Sequence, residues 1–165
     1  MNLIQLNETQ LEKFIKSGVQ PYNLKFNEGA IPPIHVLRRS MDLFHYSVDP
    51  VWSLPYFIQK ETQIIGCCGF KGSPCKNRIE IGYNVSPDAQ GLGIATSAVK
   101  QLSQIAFNSD LVSILVALIS SDNKASLNVV HKNGFSYKKL VVDDDGEQLE
   151  CWELNHDFSD FDVNY

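Results

Sequence analysis

At 165 residues, 44% apolar and 20% charged, the chain has the length of one domain and too many core-forming residues to stay disordered. A net charge of −5 without any long basic block argues against a general affinity for nucleic acid or an anionic membrane, and favours a cationic or neutral substrate. The opening Met1-Asn2-Leu3-Ile4-Gln5-Leu6-Asn7-Glu8 holds neither a basic leader nor a continuous apolar stretch, and the longest apolar run, Ile114 to Ile119, is too short to span a bilayer, so a cytoplasmic protein is expected.

Leu3 to Leu6 is a short β-like run. Thr9-Gln10-Leu11-Glu12 has the pattern of a capping box, and Leu11, Phe14 and Ile15 form one helical stripe that stops at Gly18. Residues 21–30 carry turn signals; Pro32-Pro33 opens a second helix through Ile34, Leu37, Met41 and Phe44, and Pro50 closes that region. Strands are expected at Tyr56 to Gln59 and Gln63 to Phe70, with a turn at Lys71-Gly72-Ser73-Pro74.

Ile79, Ile81, Tyr83 and Val85 alternate with Glu80, Gly82 and Asn84, the period of a strand with one apolar and one partly polar face. Ala95, Ala98, Val99, Leu102, Ile105 and Ala106 then recur at helical spacing, which predicts a long helix from about Leu92 to about Phe107. Val112 to Ile119 is almost wholly apolar and reads as a strand buried on both faces, parallel to the strand before the helix. Asp122 or Asn123 can cap another helix through Ala125, Leu127, Val129 and Val130, ended by Asn133-Gly134. Phe135 to Val142 and Gln148 to Leu154 form a hairpin across Asp145-Gly146. The order predicts one mixed α/β (α+β) domain over residues 1–155, followed by an acidic, aromatic tail over 156–165.

The chemistry concentrates in Gln90-Gly91-Leu92-Gly93-Ile94-Ala95-Thr96, where a strand gives way to a long helix. Two mechanical readings are open: a backbone cradle whose unpaired N–H groups hold a pyrophosphate, or a tight turn that packs two small glycines. A dinucleotide-binding fingerprint fits poorly. Ser86-Pro87-Asp88-Ala89-Gln90 separates the glycines from the strand, Thr96 stands where a third glycine belongs, and no acidic residue ends the next strand at Ile119-Ser120.

Gln90, Gly93 and Ala95 match the Gln/Arg-x-x-Gly-x-Gly/Ala motif of the GNAT superfamily of N-acetyltransferases, which the chain resembles. Ile81-Gly82-Tyr83-Asn84-Val85-Ser86-Pro87 looks like the strand before that family's loop. Asn123-Lys124-Ala125-Ser126 with Lys132-Asn133-Gly134-Phe135 looks like its Asn-x-x-Ser to Gly-Phe helix, so the resemblance covers roughly Glu80 to Phe135. The branch it resembles is the ribosomal-protein alanine N-acetyltransferase (RimJ/RimL) type. The resemblance implies a mostly antiparallel sheet of six to seven strands with a splayed parallel pair, flanked by about four helices. It also implies acetyl transfer from acetyl-CoA to a primary amine, on a peptide N-terminus or a small molecule, by direct attack in a ternary complex, and it allows a homodimer. A non-catalytic acetyl-CoA-binding sensor or regulatory module is the alternative.

By the same resemblance, Gly91, Leu92, Gly93, Ile94 and Ala95 offer backbone N–H groups to the pyrophosphate, with the Thr96 hydroxyl beside them. Tyr83 and Val85 pair through their backbones with the pantetheine arm, and Asn123 bonds the same arm unless it is a plain helix cap. The Val85 N–H is the family's usual donor to the thioester oxygen. An alkyl amine must lose a proton before it attacks, and Glu80, on the polar side of its strand, is either that base or a surface carboxylate paired near Arg78. Many family members place a tyrosine five residues before the Gly-Phe phenylalanine as acid for the thiolate; here that residue is Val130, and Ser126 resembles the serine of the ribosomal-protein branch.

Other residues attract blander readings. Cys67 and Cys68 should face opposite sides of one strand, and neither Cys75 nor Cys151 has a partner at ligand spacing, so reduced thiols are expected. His35, His45, His131 and His156 are scattered, and no metal is expected. Asp143-Asp144-Asp145-Gly146 is a hairpin turn rather than a calcium loop, because Val141 occupies the first ligand position. Lys100, Lys124 and Lys132 either meet nucleotide phosphates or stay solvated, and Phe44, Tyr46, Trp52 and Tyr56 either line an acceptor pocket or pack in the core.

Overall fold

The computed structural model describes residues 1–21 and 23–156, so the expected tail beyond His156 lies outside the described residues. In chain order the elements are β1 (Asn2–Ile4), α1 (Glu8–Ser17), β2 (Lys25–Phe26), α2 (Ile34–His45), α3 (Pro50–Ser53), β3 (Tyr56–Lys60), β4 (Gln63–Phe70) and β5 (Arg78–Val85). A 3-10 turn (Pro87–Ala89), α4 (Ile94–Phe107), β6 (Ile114–Ser120), α5 (Lys124–Lys132), β7 (Ser136–Val142) and β8 (Gln148–Asn155) follow. The sheet runs β1-β3-β4-β5-β6-β8-β7, with β2 attached to β4. It is a mixed, mostly antiparallel sheet flanked by helices, as the element order predicts. The short additions are β2, whose one apolar residue Phe26 gives no readable period, and the single-turn α3.

Two boundaries and the burial of one strand differ from the sequence reading. The capping box of α1 is Asn7 with Gln10: Asn7 is extended at φ −69°, ψ 165°, its side chain accepts from the Gln10 N–H at 2.9 Å, and Gln10 Oε1 accepts from the Asn7 N–H at 3.1 Å. Thr9 is already helical, so the expected box is displaced by one helix start. Pro50 does not close a helix. Asp49 caps α3 through the Val51 N–H at 2.8 Å, and Pro50 fills the first helical position, where a missing N–H costs nothing. Strand β6 is buried on one face only: Leu115, Ala117 and Ile119 are buried while Ile114, Val116 and Leu118 are half-buried.

Two cores explain that asymmetry. On one side of the sheet, Ala98, Val99, Leu102 and Ala106 of α4 and Val130 of α5 pack on Ile79, Ile81, Leu115, Ala117 and Ile119. On the other side, Leu11 and Phe14 of α1 and Leu37 and Met41 of α2 meet Phe57, Ile64 and Cys67, and this cover stops short of β6. Cys67 and Cys68 fall into the two different cores, as strand alternation requires, and the four cysteines are free. Trp52 and Tyr56 pack edge-on against Phe70 in the first core, Phe44 is half-buried against the second, and Tyr46 is 83% exposed. Among the described residues, no helix is long and apolar enough to cross a membrane.

Candidate functional site

Strand β5 has two edges with different duties. Toward β4 it pairs along Ile81–Val85, and the flanking bonds Lys71 N–H to Glu80 C=O and Ser86 N–H to Ile65 C=O show that the even-numbered residues serve this ladder. The odd-numbered residues therefore face β6. With β6 the register holds only for Arg78↔Ile114, Ile79↔Leu115 and Glu80↔Val116, after which the two parallel strands separate. The Tyr83 and Val85 amides consequently look into a gap, and the Val85 carbonyl accepts a 3.2 Å hydrogen bond from Gln90 Nε2 that ties the following loop to the strand.

The gap opens into a cleft of about 420 Å³ between the N-terminal ends of α4 and α5. Gly91 and Gly93 take φ +73° and +74°, values that favour glycine. An added Cβ at either would meet nothing within 4 Å, so these glycines answer to their left-handed backbone and not to close packing of neighbouring parts. Gly93 is the N-cap of α4 and supplies no side-chain cap; the first intrahelical bond is Ser97 N–H to Gly93 C=O at 3.0 Å. The amides of Ile94, Ala95 and Thr96 precede that bond and all three residues line the cleft, so the open turn forms a ready anion site.

Residues from α5 form the opposite wall: Asn123, Ser126, Asn128 and Lys132. Asn123 caps α5 by accepting from the Ser126 N–H at 3.0 Å. The Tyr83 hydroxyl crosses the cleft to donate to the Ser126 carbonyl at 3.1 Å; burial pushes this phenol up to about 12, with the Ser126 side chain pulling the other way. Asn133 braces the two helices by donating from Nδ2 to the carbonyls of Thr96 (3.2 Å) and Val129 (2.9 Å). Val130, at the position where many family members carry a tyrosine, is fully buried in the core.

The structure thus brings Tyr83, Val85, Gln90, Gly91, Gly93, Ile94, Ala95, Thr96, Asn123 and Ser126 around one cleft. Leu92 is outside the lining with an exposed side chain, as is Lys100, and Lys124 bonds the Ser121 carbonyl at 2.7 Å. Glu80 stands apart: it shares a face with Gly82 and Asn84, opposite Tyr83, at the last rung before the strands part, and is ion-paired with Lys71. On that face Arg78 of β5 reaches over β6 to Glu153 of β8, and Asn84 Nδ2 donates to the Gly29 carbonyl at 3.0 Å. Asn128 and the Tyr83 hydroxyl are lining groups that the sequence reading did not single out. The available signal was the four-residue spacing of Asn128 and Lys132 along α5, which puts both on one helix face.

A family model described as an acetyltransferase (GNAT) domain matches residues 25–136, a span that contains the splayed strands, the glycine loop and α5. The chain belongs to the GNAT acetyltransferase family. Among curated relatives of this GNAT domain is an uncharacterized N-acetyltransferase, p20, of Bacillus licheniformis, 33% identical over 88 residues, which are 52% of this chain and 49% of p20. The match spans about half of that relative's length. Among solved structures, RimJ of Mycobacterium smegmatis in complex with CoA-disulfide superposes with a TM-score of 0.57 at 22% identity, over 62% of this chain and 52% of that one. The microcin C7 self-immunity acetyltransferase MccE, in complex with acetyl-CoA and AMP, gives 0.62 at 22% identity over 74% and 69%. These likenesses show a common fold.

Proposed function

We propose that this GNAT domain, taken as one unit over residues 1–155, is an N-acetyltransferase of the ribosomal-protein alanine type that moves acetyl from acetyl-CoA to a primary amine. The observation that carries the reading is the conjunction of an uncapped helix N-terminus and a strand gap on one cleft. The first suits a pyrophosphate, and the second leaves main-chain groups free for an extended, amide-bearing arm. The complexes of RimJ with CoA-disulfide and of MccE with acetyl-CoA support the donor, and RimJ supports the branch.

In this reading the Ile94, Ala95 and Thr96 amides hold the pyrophosphate, with Lys132 near it. Tyr83 and Val85 extend their strand edge to the pantetheine, and Asn123, while capping α5, keeps the cleft's far wall in position. The amine nitrogen attacks the thioester carbonyl carbon, the Val85 N–H stabilises the oxygen that gains charge, and the carbon–sulfur bond breaks as the amide forms. Glu80 takes the amine's proton from the face opposite the cleft, which requires that the incoming amine displace Lys71 from it. Ser126 supplies a proton to the departing thiolate, a modest demand for a thiol of pKa ~8.5.

The test is release of free CoA thiol from acetyl-CoA with a panel of peptide N-termini, polyamines and aminoglycosides. Turnover with at least one amine is expected. A chain that binds CoA tightly and releases no thiol with any of them is instead a sensor or regulatory module, the reading that buried Val130 at the usual tyrosine position favours.

A further inference from the structure

We propose that Glu8, Glu12 and His45 form a binding site for a divalent transition-metal ion such as zinc, which staples α1 to α2. The sequence shows no metal motif because the ligands lie 37 and 33 residues apart and meet only through helix packing. Glu8 and Glu12, four residues apart on α1, stand over one side of the helix, and His45 occupies the last turn of α2 beside them. The His45 Nε2 lies 3.1 Å from Glu8 Oε1 and 4.0 Å from Glu12 Oε1, and the potential ligand atoms of the three residues all lie within 4.8 Å of one another.

Zinc bound to imidazole nitrogen and carboxylate oxygen at 2.0–2.2 Å separates neighbouring ligand atoms by roughly 3.4 Å in a tetrahedron. The His45–Glu8 edge, at 3.1 Å, is already near that length, and the other separations, none above 4.8 Å, lie within the reach of side-chain rotation. Rotation is free because the side chains of His45, Glu8 and Glu12 are 48%, 50% and 38% exposed, which also lets water fill the fourth position. Lys16 stands 3.8 Å from the other Glu12 oxygen, Oε2, and leaves Oε1 available. One imidazole with two carboxylates favours zinc-like ions over magnesium and calcium, which prefer oxygen alone. The staple lies away from the cofactor cleft, so it goes beyond the acetyltransferase reading and stands or falls without it.

The experiment is calorimetric titration of zinc chloride into the full chain in a Cys75→Ser background, which removes the exposed thiol as a competing ligand. One-to-one binding is expected, with affinity falling at least tenfold in His45→Ala and again in Glu8→Gln/Glu12→Gln, and with no heat from magnesium chloride. Thermal unfolding in EDTA checks that each variant is folded. If His45→Ala binds zinc as tightly as its parent, or the folded parent binds none, the cluster is an ordinary surface ion pair and the proposal is overturned.

Discussion

Replacing Gly93 with valine separates what the backbone needs from what the ligand needs. At φ +74°, ψ 8°, a side-chain-bearing residue is held in left-handed geometry at a cost of about 1–2 kcal/mol. A Cβ there meets nothing within 4 Å, so the branch point itself adds no clash, and the ligand-free protein should lose about 1–2 kcal/mol and still fold. Gly93 lines the cleft next to Ile94, Ala95 and Thr96, so a side chain added there stands beside their amides. A hydrogen bond to a charged group contributes about 1.5–3 kcal/mol, so losing one weakens CoA binding roughly 10- to 150-fold. Gly146→Val is the matched control: φ +82°, equally open, and located in the β7–β8 turn. Urea unfolding of the free proteins and calorimetry with CoA read the two effects separately. If both variants lose similar stability and both keep wild-type CoA affinity, the amide cradle is refuted.

The remaining expectations use the same arithmetic. Glu80→Gln should lower kcat/KM by roughly 10²-fold with the loss greatest below the amine's pKa, while leaving the CoA dissociation constant unchanged; a flat pH–rate comparison with wild type removes the base role. Ser126→Ala should slow turnover with little change in acceptor KM, and the defect should shrink with a thioester of a more acidic thiol, as measured in parallel kinetics. Gly66→Ala should cost about 1–3 kcal/mol in denaturant titration, because its Cβ would stand 2.5 Å from the Asn84 carbonyl oxygen, a backbone atom that cannot swing away. Burial pushes the Cys67 thiol up to about 12 and the Tyr56 and Tyr83 phenols up to about 12, so the folded chain holds these protons longer than the unfolded one. Stability should be undiminished below about pH 9 and fall as pH rises from there toward 12. Urea midpoints across that range should decline less steeply for Cys67→Ala, and an identical slope rejects the thiol's part.

The parts of the fold that the sequence announces are those whose periodicity is enforced by one dominant contact. Helix α4 packs a continuous Ala98, Val99, Leu102 and Ala106 stripe on the sheet, so its pattern is legible. Strand β6 misled for the same reason: its run is apolar on both sides, and nothing local says that the second helical layer stops at β4. The glycine loop was readable because positive φ restricts residue choice. Its partners across the cleft are harder to place, because Asn128 on α5 and the Tyr83 hydroxyl on β5 acquire their positions from how a helix and a strand converge across a gap. Glu80 was found as a residue type on a polar strand face, yet its Lys71 partner lies across a turn whose geometry no pattern specifies.

Only three ladder rungs, Arg78↔Ile114 to Glu80↔Val116, join the leaf that ends in β5 to the leaf that begins with β6. The Arg78–Glu153 ion pair crosses that seam on one face, and the side chains of α4 hold it from the other. The sheet is thus a book with a short spine, open at the end where Tyr83 and Val85 have no rung to β6. A donor molecule seated there, as proposed, would complete the spine, and its arrival should then register as slower amide hydrogen exchange at the seam. On that reading, release of the spent donor would reopen the seam and tie product release to the mechanics of the sheet.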